Sequence, residues 1–230
     1  GPRGGREGSE ETGKALCDGM LLYLGVSSFQ LDNGESGFSF HQNAPLDMRM
    51  SKSGISAFDV VNSYDEKSLA DIIWKYGEEK FSRSIAKNIV KAREEKPIET
   101  TFQLVDIIKA SMPAKELKKG HPARKTFQAI RIEVNAELDR LDKALDDAFD
   151  CLNPGGIIAV ITFHSLEDRL VKEKFAGWVK GCICPREFPV CVCGNKPKGE
   201  LPFKSKAPGE TELSENPRER SSRLRAFKKY

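Results

Sequence analysis

Apolar positions along this chain fall into two rhythms, and their order predicts an α/β protein. A short continuous run, Met20-Leu21-Leu22-Tyr23-Leu24, ends in Gly25-Val26-Ser27-Ser28 and predicts a buried strand that delivers polar groups to a ligand crevice. Ser36 to Ser56, rich in Gly, Pro and Asp, is a loop. Helical spacing then takes over. Ser63 with Glu66 three positions later is a capping-box pattern, followed by Leu69, Ile72, Ile73 and Tyr76 up to a stop at Gly77. Phe81, Ile85, Ile89 and Val90 mark a second helix that ends before Pro97. A third, capped by Thr100 or Thr101, carries Phe102, Val105 and Ile108 to Pro113. These three amphipathic helices predict a small helical subdomain.

The longest periodic signal comes next. Phe127, Ile130, Val134, Leu138, Leu141, Leu145, Phe149 and Leu152 recur at spacings of three and four, so one long helix is expected, bent near Asn135. Asn153-Pro154-Gly155-Gly156 stops it. Ile157 to Phe163 is a β-rich apolar run, expected to be buried on both faces as an interior strand. Ser165 with Asp168 then reads as a helix cap, and Leu166, Leu170, Val171, Phe175 and Trp178 give that helix an apolar side. A final strand is expected around Leu224 and Phe227. Long helix, Pro-Gly-Gly turn, strand and capped helix form the grammar of a doubly wound α/β domain, whose ligands sit beyond the carboxyl ends of the strands. Gly25-Val26-Ser27-Ser28 and His164-Ser165 both fall at such ends.

Composition narrows the class. The 230 residues are 39% hydrophobic and 31% charged, which suits one large domain or a domain with an insertion. No apolar stretch approaches the roughly 20 residues that cross a bilayer, and the start lacks a secretory apolar segment, so a cytoplasmic protein with no membrane partner is expected. The net charge of +3, from 37 basic and 34 acidic residues, does not by itself indicate nucleic-acid binding. Local excess says more: Gly194 to Tyr230 holds ten Lys and Arg against five Glu.

Cys182-Ile-Cys184 and Cys191-Val-Cys193, six residues apart and flanked by prolines, have the ligand types and proximity for one tetrahedral zinc. Reduced structural thiols are the competing reading, and disulfides are disfavoured in a reducing compartment. Cys17 and Cys151 have no place in this pattern.

Several blocks also carry a resemblance. Leu-Leu-Tyr-Leu-Gly-Val-Ser-Ser at 21–28, Gln30-Leu31-Asp32, Gly37-Phe38-Ser39-Phe40, Pro45-Leu46-Asp47-Met48-Arg49-Met50, Tyr76-Gly77-Glu78-Glu79, Thr126 to Arg131, Phe163 to Arg169, and Asn216-Pro217-Arg218 with Ser221-Ser222 resemble, in order, the 16S ribosomal RNA cytosine-N4 methyltransferases of the MraW or RsmH family. The resemblance implies a class I, Rossmann-like methyltransferase sheet carrying an inserted helical domain, expected here at 55–115, with 18–54 and 116–230 forming the methyltransferase part. It implies S-adenosylmethionine as cofactor and small-subunit 16S rRNA as partner. Methyl transfer to a cytosine amine depends on positioning and on acceptors for its N–H groups. Ser27, Ser28, Asp47 and His164 are the candidates. Gln30 is the implied cofactor contact, and Arg49, Arg124, Lys125, Arg218, Arg220 and Arg223 are candidate phosphate contacts.

Two departures qualify these expectations. Tyr23 stands where the family has an aspartate in Leu-Leu-Asp-Leu-Gly, and a phenol does not supply that charge. Residues 1–17 read as a polar tail in place of the family's first strands and Gly-rich cofactor loop, so a partial, truncated sheet with an impaired cofactor pocket is expected. The strand at 19–24 then becomes an apolar edge that needs a cover, from the tail, a second copy or a partner chain. The alternative to an active methyltransferase is a catalytically inactive remnant that binds RNA, the ribosome or another protein.

Overall fold

The computed structural model describes residues 16–24, 36–51, 53–185, 187–215 and 220–230. Contacts divide the chain into two compact units, a sheet unit of 1–24 with 142–230 and a helical unit of 25–141. The elements in chain order are β1 (Cys17–Tyr23), α1 (Ala57–Ser63), α2 (Glu66–Gly77), α3 (Ser82–Glu95), α4 (Thr101–Ala110), α5 (Ala114–Leu117), α6 (Arg124–Asn135), α7 (Glu137–Cys151), β2 (Leu152–Thr162), α8 (Ser165–Val179), β3 (Gly199–Glu200), α9 (Glu210–Glu215) and β4 (Arg223–Lys229). Mixed α/β architecture is as the patterning predicts.

In the sheet unit the strand order is β1-β2-β4-β3. β1 runs parallel to β2, with Met20 opposite Ile158 and Leu22 opposite Val160. β4 returns antiparallel to β2, with Phe227 opposite Ile158, and β3 pairs antiparallel with β4. β2 does not bury both faces among the described residues. Ile158, Val160 and Thr162 are buried, whereas Ile157 is 40% exposed. The covered face meets an aromatic cluster: Phe149 of α7, Phe175 and Trp178 of α8 and Phe227 of β4 lie 4.8 to 5.8 Å apart, ring to ring. Such rings contribute large apolar area and favour tilted or edge-to-face contacts. Lys174 of α8 reaches Asp142 and Asp146 of α7 at 2.8 and 2.7 Å, tying the two helices along their rim.

The helical unit has its own core, in which Leu69, Ile73, Ile85, Ile89, Leu104, Ile108 and Ile130 are fully buried. Its boundary runs past the 55–115 expected from the helix pattern, because α6 packs along α2. The close approach is set by Gly77: a Cβ there would sit 2.6 Å from the Lys125 carbonyl oxygen. Gln128 donates to the Tyr76 carbonyl at 3.0 Å and Lys125 to that of Glu78, also at 3.0 Å, satisfying the end of α2. The third predicted helix exposes Phe102 and buries Leu104 in its place.

Helix starts differ from the predicted caps in two places. Ser63 ends α1, and Tyr64 is extended, so Asp65 caps α2 by accepting from the Ser68 N–H at 2.8 Å. His164, not Ser165, caps α8. Thr100 caps α4 as expected, with Gln103 completing the box. The expected bend near Asn135 is a full break: Ala136 adopts the left-handed region at φ 47°, which separates α6 from α7. Among the described residues no helix is long and apolar enough to cross a membrane.

Candidate active site

The carboxyl ends of β1 and β2 lie side by side, joined past β1 by the Leu24 N–H donating to the Ile161 carbonyl at 3.1 Å. Parallel strands with a helix leaving one of them make the crevice in which doubly wound domains place ligands. Tyr23, at the end of β1, and Phe163, just past β2, meet there with their rings 4.9 Å apart and edge to face. Tyr23 is 56% exposed, so its phenol remains accessible.

His164 follows at the turn into α8. Its backbone is extended, and its Nδ1 accepts the Glu167 N–H at 3.4 Å. Glu167 is 5% exposed and turns its carboxylate back to accept from the N–H groups of Phe163, at 2.8 Å, and His164, at 3.3 Å. The reciprocal box satisfies donors that the helix start leaves open. Because Nδ1 accepts, the network assigns the proton to Nε2. That nitrogen lies 3.2 Å from Glu167 Oε1 but off a hydrogen-bonding axis, so this buried donor has no hydrogen-bond partner among the described residues. The Ser221 hydroxyl donates to the Phe163 carbonyl at 2.9 Å, bringing the Ser221-Ser222 block to the same turn. Arg225 grips Asp168 through two contacts of 2.7 and 2.9 Å and steadies the first turn of α8 from β4.

Asp47 and Arg49 belong to the helical unit and pair with each other. Arg49 Nε and Nη2 donate to the two Asp47 oxygens at 2.7 and 3.0 Å, and the Arg49 N–H adds a third contact at 3.1 Å. These hydrogen bonds hold the Asp47 carboxyl below its ordinary range, against the opposing effect of burial. Their loop is braced by Asn135, whose amide donates to the Met48 carbonyl and accepts from the Met50 N–H, both at 2.8 Å.

The other expected residues separate by unit. Arg124 and Lys125 are exposed at the start of α6 and line a groove with Lys80, Lys119 and His121. Glu116 bridges Lys80 at 3.0 Å and Lys119 at 2.9 Å, which lowers the Glu116 pKa through its hydrogen bond to Lys119 first and Lys80 second. Arg220 and Arg223 are exposed in the sheet unit. Cys182, Cys184, Cys191 and Cys193 converge, their sulfurs all within 4.8 Å of one another. Ser27, Ser28, Gln30 and Arg218 lie outside the described residues.

Sequence reasoning gave no site role of their own to Glu167, Phe163 or Asn135. Glu167 stands three residues after His164, and that spacing was the available signal; a histidine cap is uncommon enough to hide it.

The β1 and β2 ends, the His164 turn and the Ser221 contact join blocks that are far apart in sequence, and residues 6–230 match one family model. The chain belongs to the MraW methylase family. Its similarity extends to proteins named ribosomal RNA small subunit methyltransferase H. The one from Brevibacillus brevis is 52% identical over 223 residues, covering 96% of this chain and 71% of that protein. The one from Clostridium botulinum strain Kyoto is 53% identical over 222 residues, with 96% and 72% covered. The one from Lachnospira eligens is 52% identical over 223 residues, with 96% and 71% covered. The family recognised from the motif order is thus the family to which the chain belongs.

Proposed function

We propose that this MraW-family protein transfers a methyl group from S-adenosylmethionine to the N4 amine of a cytidine in small-subunit 16S ribosomal RNA. The observation that carries the reading is the family match over nearly the whole chain, together with the side-by-side carboxyl ends of β1 and β2, where the matching blocks lie. The cofactor, when bound, supplies an electrophilic methyl on a sulfonium. Tyr23 and Phe163 suit that group, since aromatic faces attract cations and stack on flat rings. Tyr23 stands where the family's cofactor pocket has an aspartate, and its neutral phenol does not supply that charge. Gln30 is the proposed further contact.

The chemistry asks this chain mainly to hold the amine nitrogen in line with the methyl carbon. His164 Nε2 is a donor buried beside Glu167, so its proposed role is to hold the turn at the end of β2, and as a donor it suits the carbonyl oxygen or ring nitrogen of a pyrimidine, and not its amine, where that turn opens. Ser27, Ser28 and Asp47 are the proposed acceptors for the amine N–H groups. Arg49, Arg124, Lys125, Arg218, Arg220 and Arg223 are proposed phosphate contacts, with Arg49 shared with Asp47. The target base must be single-stranded or flipped out to be reached.

Incubation of the chain with methyl-labelled S-adenosylmethionine and small subunits from cells lacking this modification tests the proposal. N4-methylcytidine in the digested rRNA is expected, reduced by at least tenfold in His164→Ala. Absence of product at enzyme in excess over subunits would refute it. Tyr23 in place of the family's aspartate, and a β1 that is an edge strand among the described residues, favour a second reading, an inactive RNA- or protein-binding chain. Calorimetric titration with S-adenosylmethionine separates the two, since only the first requires saturable binding, and RNA affinity in either case falls with salt.

A further inference from the structure

We infer that Cys182, Cys184, Cys191 and Cys193 form a closed, structural zinc site that holds the loop between α8 and β3. Zinc bound to four thiolates at about 2.3 Å places neighbouring sulfurs about 3.8 Å apart, the edge of a tetrahedron. Here the Cys191 and Cys193 sulfurs are 3.6 Å apart and those of Cys193 and Cys182 are 3.8 Å apart. All four lie within 4.8 Å of one another. A disulfide requires about 2.05 Å, and neither of these pairs approaches it.

The surroundings match a thiolate metal site as well. Backbone N–H groups of Ile183 and Asn195 point to the Cys193 sulfur, and that of Val192 to the Cys184 sulfur, each at 3.4 Å. Donors of this kind stabilise sulfur-centred negative charge and fix the direction of the ligands. Gly194, at φ 63°, makes the left-handed turn that brings the Asn195 N–H back to Cys193.

Among its described residues the loop has neither regular structure nor an apolar core to hold its middle. Among its described residues, 180–198 contains no helix or strand. Ile183, Phe188, Val190 and Val192 are 51 to 72% exposed, so no apolar core forms there. Its ends are tied, with the Lys198 N–H on the Trp178 carbonyl at 2.8 Å and the Asn195 amide on the Lys180 carbonyl at 3.0 Å. A connection of this length without regular structure is uncommon unless something organises it. Four protein ligands leave no open position for substrate, so the metal is structural and takes no part in methyl transfer.

The test uses the full chain, purified under reductant, with zinc alone as the probe. Elemental analysis is expected to find one zinc per chain, and cobalt(II) in its place should show the charge-transfer and visible bands of a tetrahedral tetrathiolate. Zinc should shield four thiols of the folded chain from an aromatic disulfide reagent, and a chelator should expose them. Cys182→Ser with Cys193→Ser should lose the metal and make the 180–198 loop a protease target, whereas Cys17→Ser with Cys151→Ser should keep it. Where the first double variant fails to fold, chelator titration of the unaltered chain gives the same readout as loss of thiol shielding. No metal after reconstitution, or metal retained by the Cys182/Cys193 variant, would overturn the assignment. None of these readouts depends on methyl transfer, so they stand apart from the enzymatic proposal.

Discussion

Single side chains in this protein act chiefly by satisfying backbone groups that an irregular segment leaves open. Asn135 is the clearest case. It is 4% exposed, and its amide holds the Met48 and Arg131 carbonyls and the Met50 N–H at 2.8 to 2.9 Å. Met48 needs such a brace because its φ of 57° lies in the region costly for a residue with a side chain. Asn135→Leu keeps the volume but orphans these groups, and should lower stability by about 3 kcal/mol in urea unfolding. Tyr64 gives a pH signature. Burial first, then its hydrogen bond to Glu133 at 2.8 Å, raises its pKa from 10.0 to about 12. The folded state therefore favours the protonated phenol, so this contribution is complete below pH 10 and fades as pH rises toward about 12. Unfolding followed across that window should show a decline that Tyr64→Phe removes. Of these contacts the sequence disclosed little, since a partner 69 or 87 positions away leaves no local periodicity.

Elements were legible where their pattern was local. The spacing of Leu69 with Ile73 and of Ile85 with Ile89 placed α2 and α3, and the Thr100 and Gln103 box placed the start of α4. The single long helix was half right, because continuous apolar spacing through Asn135 says nothing about the left-handed Ala136 that splits it. The two-faced burial of β2 failed for a related reason: an apolar run reports potential for burial, while cover depends on what packs against it. β1 shows this most directly. It is an edge strand among the described residues, with Leu21 64% and Tyr23 56% exposed. Its amides should therefore exchange at lower opening free energy than those of Ile158 and Val160 in β2. Equal protection in a chain shown to be monomeric would mean that the edge is covered.

At the scale of the molecule, two cores carry the stability, one of aliphatic side chains in the helical unit and one of aromatic rings beneath β2 and β4. Ile89, fully buried in the first, tests their independence. Ile89→Ala should cost the helical unit about 3 kcal/mol through lost contacts and a cavity. Hydrogen exchange should then report faster opening in α3 and in α2, which packs on it, with the amides of β2 unchanged. The sequence by itself determined the α/β class, the family, most helix positions and the four-cysteine pattern, because each rests on spacing within a few residues or on motif order. Only the tertiary structure decided that His164 caps α8 with Glu167, that Asp47 is held by Arg49, that Gly77 admits the Lys125 backbone, and that four sulfurs converge. The Gly77 contact depends on two distant segments meeting, and the others, though close in sequence, depend on turn and loop geometry that spacing alone leaves open.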